Sequence, residues 1–443
     1  MLFVALIIAL YLYGVRQQFL HVNTNQFTID QATYLETAKS LKTSNYTIPT
    51  DRNRMPVYPY LLSLFYDPDL SEEAFFARGK LFNIALSLLI LPVLFWIFRQ
   101  HLPSFTAVNL ILIHIFTVYI FKAAYTQTEL LFYLLNFVVF LLMCYLLHYQ
   151  GRQGIWKTAV FTGILLGITH LTKASIFPGL ILFLGIATFK AGVKLVKLRS
   201  GSFTFRDFLL TLSTPVLVVL FCLITIWPYI QNSKARFGSY FYNVNSTFYI
   251  WYDSWDNVLE GTRAHGDRIG WPDMPPEEIP SATKYFREHS LSQVVDRLLR
   301  GFLITLVSMA NSYGYLKYMV IMFSLVLSLW LFNRSKARDI LIEFPFVALF
   351  AAGFFAIYLF LYAWYTPIAN GNRLVLALFS PLMFTFSFII YRLFDKQLVV
   401  KLNRHSSKTV HLGLLLNALL TSILLVDGYI ILTERVSTMY GGF

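Results

Sequence analysis

The chain has 443 residues, 57% of them hydrophobic and only 13% charged, against about 25% charged in an ordinary soluble domain. That composition excludes a soluble globular enzyme and specifies a polytopic membrane protein. The formal net charge is +13, but Lys and Arg fall in short tracts between apolar runs, a pattern that sets topology rather than one that binds nucleic acid.

A helix needs about 20 apolar residues to cross the hydrocarbon. Runs near that length predict spans close to 2–20, 80–98, 104–121, 129–148, 157–172, 174–190, 208–230, 315–333, 344–363, 373–391 and 409–432. The expected fold class is therefore an all-α bundle of about eleven transmembrane helices, one domain over residues 1–443, with short amphipathic helices in its outer loops. The apolar start, Leu2 to Leu10, has no basic leader, and no small-residue cleavage site precedes Arg16, so it reads as a retained anchor. Gly301 to Ala310 is half a span and follows the amphipathic run Val294, Val295, Leu298, Leu299 and Phe302, which predicts an interfacial helix. Cys144 and Cys222 lie inside apolar runs without metal-ligand spacing and read as packing residues.

Orientation follows from four basic tracts: Arg152 and Lys157; Lys190 to Arg206; Arg334 to Arg338; Arg392 to Lys408. Eleven alternating spans put all four on one side, which is the cytoplasm by the positive-inside rule. The two long polar segments, 21–79 and 231–299, then face outward, and the chemistry is expected there.

The first outer loop predicts a short helix from near Thr28, with Thr28 and Gln31 spaced as a capping box. Leu35, Ala38 and Leu41 would form an apolar stripe on the membrane surface. Asp30 falls in the first turn with Tyr34 on the same face. It suits the positive end of the helix dipole; it equally suits a general base whose pKa is raised near a low-dielectric boundary. Arg52 and Arg54, ahead of Pro56, Tyr58 and Pro59, have the chemistry to hold a phosphate or to anchor in headgroups.

Glu129 opens the fourth predicted span after Thr126 and Thr128, and reads either as a first-turn acid or as a substrate or metal contact. His170 and Lys173 lie at the third outward turn, and Arg373 heads the tenth span. Three cations at one depth, on the side of Asp30, are spaced for an anionic headgroup; interfacial snorkelling is the other reading. Beyond Trp227-Pro228-Tyr229 and Asn232, the large outer loop is dense in aromatics, as an interfacial belt or a sugar-stacking surface would be. Its Gly- and Pro-rich part, 261–280, is expected to act as a cover. Walker, dinucleotide, HExxH and GxSxG motifs are absent from the sequence.

Taken in order along this topology, the acid of the first loop with Tyr34 and Ala38, Arg54-Met55-Pro56-Val57-Tyr58-Pro59, Glu129, Lys173, and Trp227-Pro228-Tyr229 with Asn232 resemble the GT-C membrane glycosyltransferases. The specific likeness is to the bacterial family 39 type, related to protein O-mannosyltransferases and lipid A aminoarabinose transferases. The resemblance spans most of the chain. It implies a sugar moved from a polyprenyl-phosphate donor to a hydroxyl on a lipid, glycan or protein, on the outer side of the bacterial inner membrane. It further implies that Asp30 is the base and that Arg54, Lys173 and Arg373 hold the donor phosphate; beside these, Glu129 is a candidate catalytic residue, Arg52 a candidate for the phosphate, and Tyr34, Tyr58, His170 and Asn232 candidates for substrate binding. Many relatives carry an acid where this chain has Gln31, which bears on whether a divalent metal ion serves as cofactor. The chain ends soon after its eleventh span, so acceptor recognition is expected from residues 231–299. A transporter or flippase of a lipid-linked sugar or anionic solute is the competing class; it predicts internal repeats and mid-span polar groups.

Overall fold

A computed structural model describes residues 2–47, 53–149, 154–198, 204–312, 314–369, 371–394, 397–403 and 406–438. Among these, eleven helices are long and apolar enough to cross a membrane: Leu2–Val22, Glu72–His101, Ser104–Lys122, Glu129–His148, Ile155–Thr172, Ala174–Val196, Phe208–Phe237, Tyr315–Phe332, Pro345–Tyr365, Asn372–Leu393 and Gly413–Arg435. The architecture is an all-helical, multi-pass membrane bundle. Among the described residues, a two-stranded antiparallel hairpin is added between the last two spans, β1 (Gln397–Asn403) and β2 (Ser406–His411), pairing Gln397 with His411 and Leu398 with Val410. The β-branched residues Val399, Val400, Thr409 and Val410 favour it locally, a signal the helical periodicity of the flanking spans obscured.

Burial ranks the spans. In the third, 78% of the apolar stretch is covered by protein, against 11% in the eleventh, so the third is the axis and the eleventh lies at the rim. Around the axis, Phe98, His114, Phe137, Phe379 and Phe384 form a contiguous aromatic contact set. The fifth and seventh spans pack most closely through Gly163 and Gly167. A Cβ at Gly163 would lie 2.6 Å from the Val218 carbonyl oxygen, so only glycine allows the backbones this approach. Cys222 is buried at the same contact and Cys144 is half-buried, both as free thiols.

Three expectations of local structure are corrected. The first-loop helix starts at Gln31, not Thr28, and has no side-chain cap. Its stripe of Leu35, Ala38 and Leu41 is buried, and Leu35 and Ala38, with Tyr34 of the same helix, pack with Tyr58, Leu62, Phe75 and Phe76 from the helix Val57–Ser63 and the start of the second span. Amphipathic spacing says that one face is apolar; here protein, not membrane, covers it. The seventh span also continues as helix to Phe237, past Pro228, so Asn232 lies on a helix and the large outer loop begins later than residue 231.

The amphipathic run and the apolar half-span join into one helix, Leu291–Ala310, opened by a reciprocal capping box between Ser290 and Gln293. It lies against the ninth span at Gly301, where an added Cβ would meet the Ala363 carbonyl.

Candidate active site

The connectors that the basic tracts would turn outward are sewn together by side-chain amides. Asn23 donates to the Ala124 carbonyl at 2.7 Å, and Gln31 exchanges hydrogen bonds with Asn23 while its Oε1 accepts from the Thr126 amide at 2.9 Å. Gln127 donates to the Ile29 carbonyl at 2.5 Å. Asn83 of the second span reaches the carbonyls of Tyr125 and Gln127. The first loop is thereby pinned onto the turn before the fourth span. Gln31 is fully buried and acts as donor and acceptor at once, a task an amide performs and a carboxylate does not.

This pinning holds Ile29 and Asp30 at φ values of 54° and 63°. A β-branched residue in the left-handed region is a true outlier, costing about 1–3 kcal/mol; Asp adopts it more readily. The conformation points Asp30 away from its own helix. Although Asp30 is the N-cap residue, its carboxylate caps nothing. Oδ1 instead lies 2.9 Å from Nη2 of Arg54, and Oδ2 accepts from Nη1 of Arg373. Arg373 thus meets a carboxylate 343 positions away in the sequence.

Arg54 is fixed from two further directions. Its Nε donates to Thr33 Oγ1 at 2.9 Å, and the guanidinium lies 5.0 Å over the Tyr34 ring. Tyr34 meets Tyr58 edge-on at 5.3 Å, and the Tyr58 hydroxyl donates to Asn83 at 3.0 Å. The two tyrosines form a buried shelf under the arginine. On the other flank, the Arg373 carbonyl accepts from the Tyr133 hydroxyl at 2.9 Å.

Glu129 is the first residue of the fourth span, 3% exposed. Oε1 lies 3.3 Å from Lys173 Nζ, while Oε2 has no hydrogen-bond partner. Lys173 sits on the extended break between the fifth and sixth spans, and its ammonium senses Glu129, Arg373 and Arg54. Lys122, buried at the end of the third span, lies in the same field. Sequence reading passed over Lys122, Asn23, Gln127 and Tyr133; an ionisable residue beside an outward turn was the available signal for Lys122.

The electrostatics differ from the expected raised Asp30 pKa. Burial pushes the carboxyl up, but the guanidinium groups of Arg54 and Arg373 outweigh it and bring the pKa down to about 2. Burial pushes the Tyr34 phenol up, with Glu129 adding to it. Burial pushes the Lys173 ammonium down, opposed by Glu129.

The structure therefore brings Asp30, Arg54, Arg373, Glu129, Lys173 and Tyr34 to one end of the bundle, with Tyr58 behind them. His170 is buried close by in sequence, stacked 4.1 Å from the Phe177 ring with Nδ1 unpaired, and no contact joins it to the carboxylates. Asn232 is half-buried on the seventh span. Arg52 lies outside the described residues. Among the described residues no three His, Cys, Asp or Glu side chains converge as a metal would require; Asp30 and Glu129 are instead each paired with cations. This donor set fits an anion rather than a divalent ion.

No protein-family model and no curated protein matches the chain. Its fold is similar to that of the solved archaeal oligosaccharyltransferase AglB from Archaeoglobus fulgidus, in complex with an inhibitory peptide and a dolichol-phosphate. The TM-score is 0.53 at 12% identity, over 99% of this chain and 56% of that one. The chain spans little more than half the length of that protein, and at this identity the likeness is one of fold: the multi-pass helical membrane bundle expected from the sequence.

Proposed function

We propose that the protein is a membrane glycosyltransferase of the GT-C type, of the family 39 kind, moving a sugar from a polyprenyl-phosphate donor to a hydroxyl acceptor on the extracytoplasmic side of a bacterial inner membrane. The observation that carries this reading is the convergence of Asp30, Arg54 and Arg373, with the Glu129 and Lys173 pair alongside, at the end of the bundle that the basic tracts assign outward. The fold likeness to a protein solved with a dolichol-phosphate and a peptide supports a lipid-linked donor and leaves protein among the acceptors, beside lipid and glycan.

In this reading Arg54, Arg373 and Lys173 bind the donor phosphate and stabilise the charge that grows on it as the glycosidic bond breaks. Asp30 accepts the proton of the attacking hydroxyl, and the displacement inverts the anomeric centre. Glu129 orients Lys173, and Tyr34 supports Arg54 from below. No step passes through a divalent ion.

The test is transfer by the purified full-length protein in vesicles, supplied with radiolabelled polyprenyl-phosphate sugars and envelope acceptors. Wild-type protein is expected to form a labelled glycosidic product and folded Asp30→Asn none. Wild-type rates from Asp30→Asn would refute the role given to Asp30; label crossing the vesicle without any new bond would establish the carrier instead.

A further inference from the structure

The proposed chemistry asks Arg54 and Arg373 to hold a phosphate, yet both are engaged with the carboxylate that is to act as base. The shortest contact from each arginine goes to a different oxygen of Asp30, Arg54 to Oδ1 and Arg373 to Oδ2. A carboxylate spread between two guanidinium groups has both oxygens occupied by cations. It accepts protons poorly, and its low pKa is the same fact in solution terms. As observed, the site holds its anion-binding groups and its base in mutual neutralisation.

A phosphate alters that balance for geometric reasons. It offers more oxygens than a carboxylate, at the spacing a planar guanidinium fork takes two at a time. Arg54 stays fixed by Thr33 and the Tyr34 ring while its charged end changes partner, and Arg373 is held by its backbone at Tyr133. Neither arginine has to leave its seat.

Resting on the polyprenyl-phosphate reading above, we infer that the donor phosphate takes Arg54 and Arg373 from Asp30, so that the carboxylate becomes a competent base only after the donor is bound and the hydroxyl acceptor is activated second. With the two cations turned to phosphate, burial is the dominant influence left on Asp30, and it acts upward. The hydroxyl proton then passes to an Asp30 oxygen as the acceptor oxygen bonds to the anomeric carbon. The bond from that carbon to the phosphate oxygen breaks with its electron pair. The lipid phosphate goes from one negative charge to two, and the arginines already face it.

The left-handed backbone at Asp30 makes the test clean, because Asn and Gly both adopt that conformation. Asp30→Asn and Asp30→Gly therefore remove the competing carboxylate without straining the turn. Binding of a short-chain polyprenyl phosphate to the full-length protein in nanodiscs would be measured for wild type, both Asp30 variants and Glu129→Gln, with the unphosphorylated polyprenol as control. Glu129→Gln removes one negative charge from the same cluster but frees neither arginine, since its carboxylate pairs with Lys173. The Asp30 variants are expected to bind the phosphate about tenfold tighter, equivalent to about 1.4 kcal/mol, and Glu129→Gln to gain much less. If the Asp30 variants bind no tighter than wild type, or if all three variants tighten alike, the exchange of partners is wrong and charge alone governs the site. If wild-type protein does not prefer the phosphate to the polyprenol, the donor reading itself fails and the exchange falls with it.

Discussion

Truncating Arg297 should open the outer loop without disturbing the bundle. This side chain is 5% exposed and joins three parts of the structure. Nε and Nη2 donate to the Trp364 carbonyl at 3.1 and 3.0 Å, Nη2 to the Ile250 carbonyl at 3.2 Å, and Nη1 to Asp253 at 3.0 Å. Its guanidinium is 4.4 Å from the Trp364 ring and 5.0 Å from Tyr285. Trp364 lies in the last turn of the ninth span, so its carbonyl lacks a helical partner and faces a cation along the helix dipole. Leaving a buried acceptor unpaired costs about 1–3 kcal/mol, and the upper end applies here because the Trp364 carbonyl loses both donors and the two rings lose the guanidinium packed on them. Asp253 is half-exposed and keeps the Tyr285 hydroxyl and His289, and the Ile250 carbonyl keeps the Trp364 indole, so no buried charge is stranded. For Arg297→Ala a loss of about 3 kcal/mol raises the local opening equilibrium roughly 100-fold. Hydrogen exchange read by mass spectrometry should show that acceleration in the helix Ala282–Glu288 and at the end of the ninth span, with the third span unchanged; Arg297→Lys, which keeps the charge but not the fork, should fall between. Unchanged exchange in Ala282–Glu288 would refute the view that Arg297 holds the loop.

The Asp30 carboxyl has a folded pKa near 2 against an ordinary value of 3.8, so its ion pairs stabilise the protein fully above about pH 4 and lose that contribution as pH falls toward 2. The stability difference between wild type and Asp30→Asn, followed by tryptophan fluorescence during thermal unfolding, should be flat from neutral to mildly acid pH and shrink only below pH 4; a change near pH 6 would contradict the paired carboxylate. Lys173→Gln strands Glu129 as a buried carboxylate without its ammonium and should cost about 3–5 kcal/mol, with the double variant Glu129→Gln, Lys173→Gln recovering much of it; additive melting shifts would mean the pair is not coupled. Gln31→Glu puts a charge at a fully buried donor–acceptor position and should lower the melting temperature markedly, whereas an unchanged melt would show that the amide network does not tie the loop down.

Span positions were legible because hydrocarbon thickness imposes a length that the sequence must satisfy, and the second, third and tenth spans begin or end within a few residues of tracts the basic and apolar patterns mark. What covers an apolar face was not legible. Leu35 and Ala38 spaced as a stripe look the same whether lipid or the Tyr58 helix lies opposite. The state of Asp30 was hidden for a related reason: its sequence neighbours place it at a helix start, where a cap is the local expectation, but its charge is set by Arg54 and Arg373, brought in by tertiary structure. Arg297 was missed because an arginine in an amphipathic run reads as a solvent-facing charge, and only the docking of that helix onto Trp364 turns it inward.

The charged groups that converge at the site suit an anion. Among the described residues of the cluster, Arg54 and Arg373 face Asp30, and Lys173 faces Glu129 with Lys122 in the same field. Guanidinium and ammonium groups converging in a partly dry cluster are the chemistry that binds an anion rather than a metal ion. Glu129 bears on which anion. Its Oε2 is buried and unpaired, so the site also retains an acceptor for a hydroxyl or ammonium donor next to the phosphate-binding cations. A ligand with one phosphate and several hydroxyl groups satisfies both demands, whereas an ionised fatty acid carries no hydrogen-bond donor for Glu129.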